Sequence, residues 1–88
     1  MRLSEPQKAI IRFMQQGHAR SIKLYHPRLK EHSRTADIYF SKTPVALRLG
    51  LPTPRLTYRV VAVLLARGLL MEEEGEFRLS QHGKEIEV

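Results

Sequence analysis

Near the start of the chain, hydrophobic positions recur at helical spacing. In "LSEPQKAIIRFMQQG" the isoleucine, phenylalanine and methionine side chains fall on one face of a helix. Ser4 followed by Gln7 matches a capping box, and a proline between them suits a first helical turn. Gly17 is a natural terminator. The pattern predicts helix 1 over about residues 5–16.

Between residues 18 and 41 the pattern is less regular. "SIKLYH" alternates apolar and polar positions and can form a short strand, and "DIYF" can form a second one. Pro27 breaks any continuous helix, although it can open a helical turn over residues 28–32. We treat residues 18–41 as an insertion that is either an elaborated strand region or a loop.

Two further helical segments follow in close succession. In "KTPVALRLGL", Thr43 is a cap, a proline follows it and Gly50 is a stop, which predicts helix 2 over about residues 44–49. After a turn of four residues the pattern repeats, with Thr53 as cap and Pro54 opening helix 3, which runs to Gly68. Two helices across a short glycine-containing turn have helix-turn-helix spacing, here over residues 43–67.

The last third predicts a hairpin. "LLMEEEGEFRLS", within residues 69–80, has two short strands around Gly75, with Phe77 and Leu79 alternating with polar residues. Residues 81–88 form a polar tail with a final helical turn.

The size and composition restrict the class of protein. Eighty-eight residues bury one small core, so residues 1–88 are read as a single domain. There is no cysteine, hence no disulfide framework or Cys-based zinc site. The N-terminus matches no signal or transit peptide, and the longest apolar run, Val60 to Ala66, is far shorter than the ~20 residues of a membrane helix. We expect a cytoplasmic or nucleoid-associated protein without membrane contact.

Charge is distributed unevenly along the chain. Residues 1–70 hold 13 Lys and Arg against 3 Asp and Glu, whereas residues 71–88 hold 2 against 6. A body of +10 with a terminal region of −4 indicates an anionic partner for one face of the protein.

The run "VALRLGLPTPRLTYRVVAVLLARGLL" followed by "EGEFRLSQHGKEI" resembles the winged helix-turn-helix domains of small prokaryotic regulators of the MarR and PadR type. The resemblance covers about residues 43–86. It implies an α+β fold, with a helical core and a two- or three-stranded antiparallel wing. It also implies sequence-specific binding of double-stranded DNA by a small transcription regulator, with helix 3 in the major groove and a homodimer on two half-sites. The long stretch between helices 1 and 2 and the acidic wing depart from this pattern.

Helix 3 carries the candidate base-reading residues. At 100° per residue, Arg55 and Arg59 fall on one stripe near its N-terminus, while Val61 and Leu64 fall on the opposite, core-facing side. Arginine can donate two parallel hydrogen bonds to guanine O6 and N7. The secondary candidates are Tyr58 and Thr57.

Other polar residues are candidates for contact with the DNA backbone, because cations interleaved with aromatic side chains suit phosphate. For any single residue, a solvated surface position is an equally good interpretation. The set is Lys42, Arg48, Thr53, Arg20, Lys23, Arg28, Lys30 and Arg34.

A protein-binding role is the alternative hypothesis: a winged domain that serves as an assembly subunit or adaptor and does not bind DNA. Helix 3 is apolar on nearly three sides, so either the insertion or another subunit must cover it. The wing carboxylates would be repelled by phosphate. The candidate interface is Val63, Leu65, Glu72, Glu73, Glu74 and Glu76.

Nothing in the sequence indicates catalysis. The four histidines lack HExxH-type spacing, and no glycine-rich phosphate loop is present. His26 and His32 could meet Asp37 around a metal, but solvated loop histidines are the better interpretation. We therefore expect no catalytic residues, no metal site and no cofactor.

Overall fold

The computed structural model of the chain describes residues 2–25 and 37–88, which form a small α+β domain. Helices and strands alternate along the chain. In order they are α1 (Glu5–Gln15), β1 (Ala19–Tyr25), β2 (Asp37–Lys42), α2 (Pro44–Leu49), α3 (Tyr58–Ala66), β3 (Leu70–Glu73), β4 (Glu76–Leu79) and α4 (Gln81–Glu85).

Each helix begins after a serine or threonine whose side-chain oxygen accepts a backbone N–H three residues later, which satisfies one donor that the helix leaves unpaired. The Ser4–Gln7 capping box is present in both directions, with the Ser4 amide donating to Gln7 Oε1 at 2.8 Å. Helix 2 has the predicted bounds and ends at Gly50 in the left-handed conformation. The four caps and their donors are Ser4 and Gln7, Thr43 and Ala46, Thr57 and Val60, and Ser80 and Gly83.

The predicted start of helix 3 is wrong. It was expected at Pro54 with Thr53 as cap, but α3 begins at Tyr58 with Thr57 as cap. The connection from α2 therefore spans residues 50–57, twice the four residues of the predicted turn. The Thr57 side chain accepts the Val60 amide at 3.2 Å and sets the later start.

The strands form one antiparallel sheet in the order β2-β1-β4-β3. The predicted hairpin β3–β4 is confirmed. For residues 18–41 the sequence left a strand region and a loop as alternatives, and both of the possible strands are present. The expected count of two or three strands is wrong, since β2 adds a fourth at the edge. Its alternating Ile38 and Phe40 fit a sheet with one covered face. The helical turn considered for residues 28–32 lies outside the described residues.

One face of the sheet packs on the helices. Ile22 of β1 lies opposite Phe40 of β2 and Phe77 of β4, so these three side chains form a row across the sheet. The Phe13 ring of α1 lies 4.9 Å from that of Phe40, centre to centre. The buried cluster comprises Ile10, Ile11, Phe13, Met14, Ala19, Ile22, Phe40, Val61, Leu64, Leu69, Leu70 and Phe77.

The C-terminal segment is fastened to the first helix. Gln15 Nε2 of α1 donates to the carbonyl oxygens of Gly83 and Ile86, at 2.9 and 2.8 Å. The predicted final helical turn is thus present as α4. Among the helices of residues 2–25 and 37–88, none has the length and hydrophobicity needed to cross a membrane.

Candidate nucleic-acid interface

The segment containing α2 and α3 is cationic and lacks acidic residues. From Ile38 to Met71 the sequence has no Asp or Glu and five Lys or Arg. Four of these cations form no ion pair within residues 2–25 and 37–88. They are Lys42, Arg48, Arg55 and Arg59, of which Lys42 is half-buried and the others are exposed. The fifth, Arg67, donates to the carbonyl oxygen of Arg2 at 3.1 Å.

Arg55 and Arg59 do not share a helical stripe, contrary to prediction. Arg59 is the second residue of α3, whereas Arg55 lies in the irregular segment before it. A four-residue spacing aligns two side chains only where both residues are helical. Both arginines are nevertheless exposed, on either side of the N-terminus of α3.

The other residues predicted on this surface have distinct roles. Tyr58 is the first residue of α3 and is exposed. Thr57 is the helix cap, so its side-chain oxygen is engaged by the Val60 amide. Thr53 is exposed and, contrary to prediction, caps no helix.

The proposed backbone-contacting cations have different surroundings. Lys23 is on β1 and its Nζ lies 4.0 Å from Glu76 Oε1, so it has a carboxylate partner. Arg20 lies at a β-bulge between Ala19 and Ser21 and lines a hollow with Met71 and Lys84. The remaining three, Arg28, Lys30 and Arg34, lie outside the described residues.

Within the acidic hairpin, Glu76 has a structural role. Ser21, whose exposed fraction is 1%, donates its hydroxyl to Glu76 Oε1 at 2.6 Å. Arg78 Nη2 lies 3.5 Å from the other carboxylate oxygen. The hydrogen bond from Ser21 is the main reason that the pKa of Glu76 is lowered. Partial desolvation opposes the shift, and the charges of Lys23 and Arg78 add to it.

The remaining hairpin carboxylates are exposed. Glu73 Oε1 lies 3.7 Å from Arg78 Nε. Glu72 and Glu74 form no ion pair in the part of the chain that the structure describes. Glu74 and Gly75 form the tip, with φ of 52° and 82°. The hairpin therefore projects two unneutralised carboxylates at or near its tip.

The apolar flank of α3 is partly covered from within the chain. Leu65 is half-buried and packs against the core cluster, to which Ile22 and Phe40 of the insertion also belong. Val63 is half-buried as well. The expected core face of α3 is confirmed for Val61 and Leu64, which are fully buried.

An exposed apolar surface on α2 was not anticipated. Val45, Leu47 and Leu49 are 55, 63 and 65% exposed, while Ala46 is the buried residue of this helix. Leu47 also lines a groove of about 490 Å³ beside β2, together with Ile38, Tyr39, Phe40, Lys42, Thr53 and Leu56. The sequence contained a signal, because a six-residue helix with "VALRL" has apolar side chains pointing in several directions and cannot bury them all.

A metal site is not seen in the described segments, where no three His, Asp or Glu side chains are grouped to hold an ion. The histidines considered in the sequence, His26 and His32, lie outside those segments. His18 is half-buried, with its ring centre 5.3 Å from that of Phe13 in an edge-to-face arrangement.

Comparisons with protein-family models, with curated proteins and with solved structures found no match for this chain.

Proposed function

We propose that this protein binds double-stranded DNA as a small transcription regulator of the winged helix-turn-helix type. The observation that carries the proposal is the absence of acidic residues from Ile38 to Met71, together with four cations that have no carboxylate partner among the described residues. Cations not neutralised by the protein remain available to phosphate, whose contacts provide the sequence-independent part of DNA affinity.

The order of elements supports this proposal. Two helices, α2 and α3, are followed directly by the hairpin β3–β4, and β4 also pairs with β1. The resemblance likewise implies two helices followed by a hairpin, so this order is in its favour; β2 is an additional strand at the edge of the sheet. The eight-residue connection between α2 and α3 is longer than in a compact helix-turn-helix, so the surface offered to DNA includes an extended segment.

In this arrangement the N-terminal end of α3 enters the major groove. Arg59 and Tyr58 approach base edges from the helix, and Arg55 approaches from the segment before it. Lys42 and Arg48, at the start and in the last turn of the α2 region, contact phosphates. The wing tip, with Glu72 and Glu74, points away from the duplex.

Fluorescence anisotropy with a labelled mixed-sequence duplex tests the proposal, at about 50 and about 200 mM salt. The test variant is Lys42→Gln/Arg48→Gln, which removes the two cations assigned to phosphates. A matched control, Arg12→Gln/Lys84→Gln, removes two exposed positive charges from α1 and α4. We expect the test variant to weaken binding and to lower the log–log salt slope by roughly 1.8, or ~0.9 for each lost phosphate contact. The control should keep most of the wild-type slope.

Two results would contradict the proposal. One is the absence of salt-sensitive binding by the wild type even at about 50 mM salt. The other is an equal loss in the test and control variants, which would mean that overall charge, and not this surface, determines binding.

A protein-binding role is the second candidate function, and the exposed side chains of Val45, Leu47 and Leu49 favour it. Large exposed apolar side chains concentrated on one short helix are typical of an interaction site. The candidate interface inferred from the sequence is therefore revised. Glu76 is hydrogen-bonded within the domain, and Val63 and Leu65 are half-buried. The apolar side chains of α2 are exposed and replace them as the candidate interface.

A further inference from the structure

The groove beside β2 runs along the edge of the sheet. Four residues of this strand line it: Ile38, Phe40 and Lys42, which share one face of the strand, and Tyr39, which lies on the other. A hollow that contacts consecutive strand residues must follow the edge and not one face. Leu47 and Leu56 form its other wall.

β2 is an edge strand in the described structure. It pairs with β1 on one side, and no strand from residues 2–25 or 37–88 pairs with its other side. Unpaired N–H and C=O groups along such an edge can accept an additional strand. Peptides that bind in this way use main-chain hydrogen bonds for affinity and place alternate side chains in pockets.

The chemistry around the groove indicates the kind of strand that fits. Its floor and walls are mainly apolar. Lys42 lines the groove, and Arg48 and Arg55 adjoin the lining residues Leu47 and Leu56 in the sequence. No acidic residue lies between Ile38 and Met71 to balance these cations.

We propose that this groove binds an extended segment of another protein that carries apolar side chains flanked by carboxylates. The segment adds to β2 as a fifth strand, inserts apolar side chains between β2 and Leu47, and pairs its carboxylates with Lys42, Arg48 and Arg55.

Charge disfavours a second copy as the occupant of the groove. A second copy related by two-fold symmetry would bring the same surface patch against itself, so these cations would face their own equivalents. Nucleic acid phosphates would be attracted to the cations, but they would leave the leucines uncovered. Peptide binding is measured in the absence of DNA, so its failure and the failure of the proposed DNA binding are distinguishable.

Selection from a displayed library of random 12-residue peptides, with the full chain immobilised, provides the probe. We expect the enriched peptides to combine apolar residues with Asp or Glu. Leu47→Glu should weaken binding of the best synthetic peptide by at least about tenfold, the effect of losing a central contact. Met71→Glu is the matched control, since it makes the same change at an exposed apolar side chain on β3, and it should retain wild-type affinity.

Hydrogen exchange of the peptide complex tests the strand addition itself. Backbone amides within Asp37–Lys42 that exchange freely in the unbound protein should become protected, and a peptide with methylated backbone nitrogens should bind weakly.

Several outcomes would overturn the proposal. The first is that the selection enriches basic peptides or enriches no peptide. The second is that Leu47→Glu and Met71→Glu reduce peptide affinity equally. The third is that the peptide protects backbone amides only outside β2. Sedimentation of the wild type as a dimer that Leu47→Glu dissociates would assign the groove to a second copy. Because Leu47 is exposed, a loss of binding without a change in melting temperature cannot be attributed to unfolding.

Discussion

Glu76 shows how a single residue can change the meaning of a sequence pattern. In the sequence it is one of four clustered glutamates that would repel DNA. In the structure its carboxylate accepts a hydrogen bond from the buried Ser21 of β1 and pairs with Lys23 and Arg78. It therefore links the hairpin to the central strand, and among the hairpin glutamates only Glu72 and Glu74 form no ion pair in the described residues.

The hydrogen bond between Ser21 and Glu76 should make the stability of the protein depend on pH. The pKa of Glu76 is lowered in the folded protein, so its contribution to stability is present above its ordinary value of 4.5 and is lost as the pH falls through the folded value. Glu76→Gln should therefore lower Tm at neutral pH, and the difference from wild type should disappear in acid. Thermal melts of both proteins across this range provide the measurement.

Glu72→Gln is the control for that series, since it removes an exposed hairpin carboxylate that has no bond to Ser21. Its Tm should follow that of the wild type at every pH. A Glu76→Gln deficit that keeps its size however far the pH is lowered would show that the effect is steric and not ionic.

Gly83 is required for a different physical reason. A Cβ at this position would lie 2.0 Å from the carbonyl oxygen of Leu69 and 3.2 Å from Leu79 Cδ2. A backbone carbonyl cannot move aside as a flexible side chain can, so α4 would have to shift. We expect Gly83→Ala to destabilise the protein by about 1–3 kcal/mol, as overpacking does.

Urea denaturation of Gly83→Ala and Lys84→Ala gives the comparison. Lys84 is the exposed neighbour on the same helix, and its replacement should change stability by no more than about 0.5 kcal/mol. If the two variants were equally stable, the close approach of α4 to Leu69 would not contribute to the fold.

At the scale of elements, the hairpin tip carries a residue type that its backbone disfavours. Glu74 and Gly75 both have positive φ, as in the type I′ turn that favours Asn-Gly. A glutamate in the left-handed region costs about 1 kcal/mol. Glu74→Asn should therefore stabilise the protein by about 0.5–1 kcal/mol, measured by urea denaturation.

Glu74→Gln separates conformation from charge in this case. Glu74→Gln removes the negative charge but keeps a side chain that the left-handed region disfavours. Its free energy of unfolding should therefore be close to that of the wild type. Equal stabilisation by both variants would assign the effect to repulsion among the hairpin carboxylates.

Local signals in the sequence predicted most of the elements. The caps at Ser4 and Thr43, the glycine stop at Gly50 and the alternation around Phe77 depend on interactions within a few residues, and their elements were confirmed. The start of α3 was missed because Thr53 and Thr57 both precede plausible helical runs. Both threonines suit the cap position, so local capping signals do not distinguish between them.

The site was less predictable than the elements, because it depends on which side chains the fold leaves uncovered. The bond between Ser21 and Glu76 joins residues 55 apart in the sequence, and pairing of β1 with β4 brings them together. Exposure of Leu47 likewise depends on what packs against α2. Periodicity predicts that a face is apolar, but it does not identify the element that covers that face.

At the scale of the whole molecule, the α2–α3 segment and the hairpin differ in their charge. The α2–α3 segment is acid-free, while the hairpin carries Glu72, Glu73 and Glu74 and neutralises only part of this charge through Arg78. A polyanion approaching this protein is attracted to one region and repelled by the other. The separation should therefore orient the domain on DNA with the hairpin tip away from phosphate.

That orientation can be measured by removing carboxylates. If the tip is farther from the duplex than the Debye length of ~10 Å at 0.1 M salt, then Glu72→Gln/Glu74→Gln should strengthen DNA binding no more than a control that removes two distant carboxylates, Glu5→Gln/Glu87→Gln. At 0.01 M salt the Debye length is ~30 Å, so both variants should gain affinity to a similar extent. A much larger gain for the hairpin variant at 0.1 M salt would place the tip against the phosphates, and the wing would then oppose binding that Lys42, Arg55 and Arg59 favour.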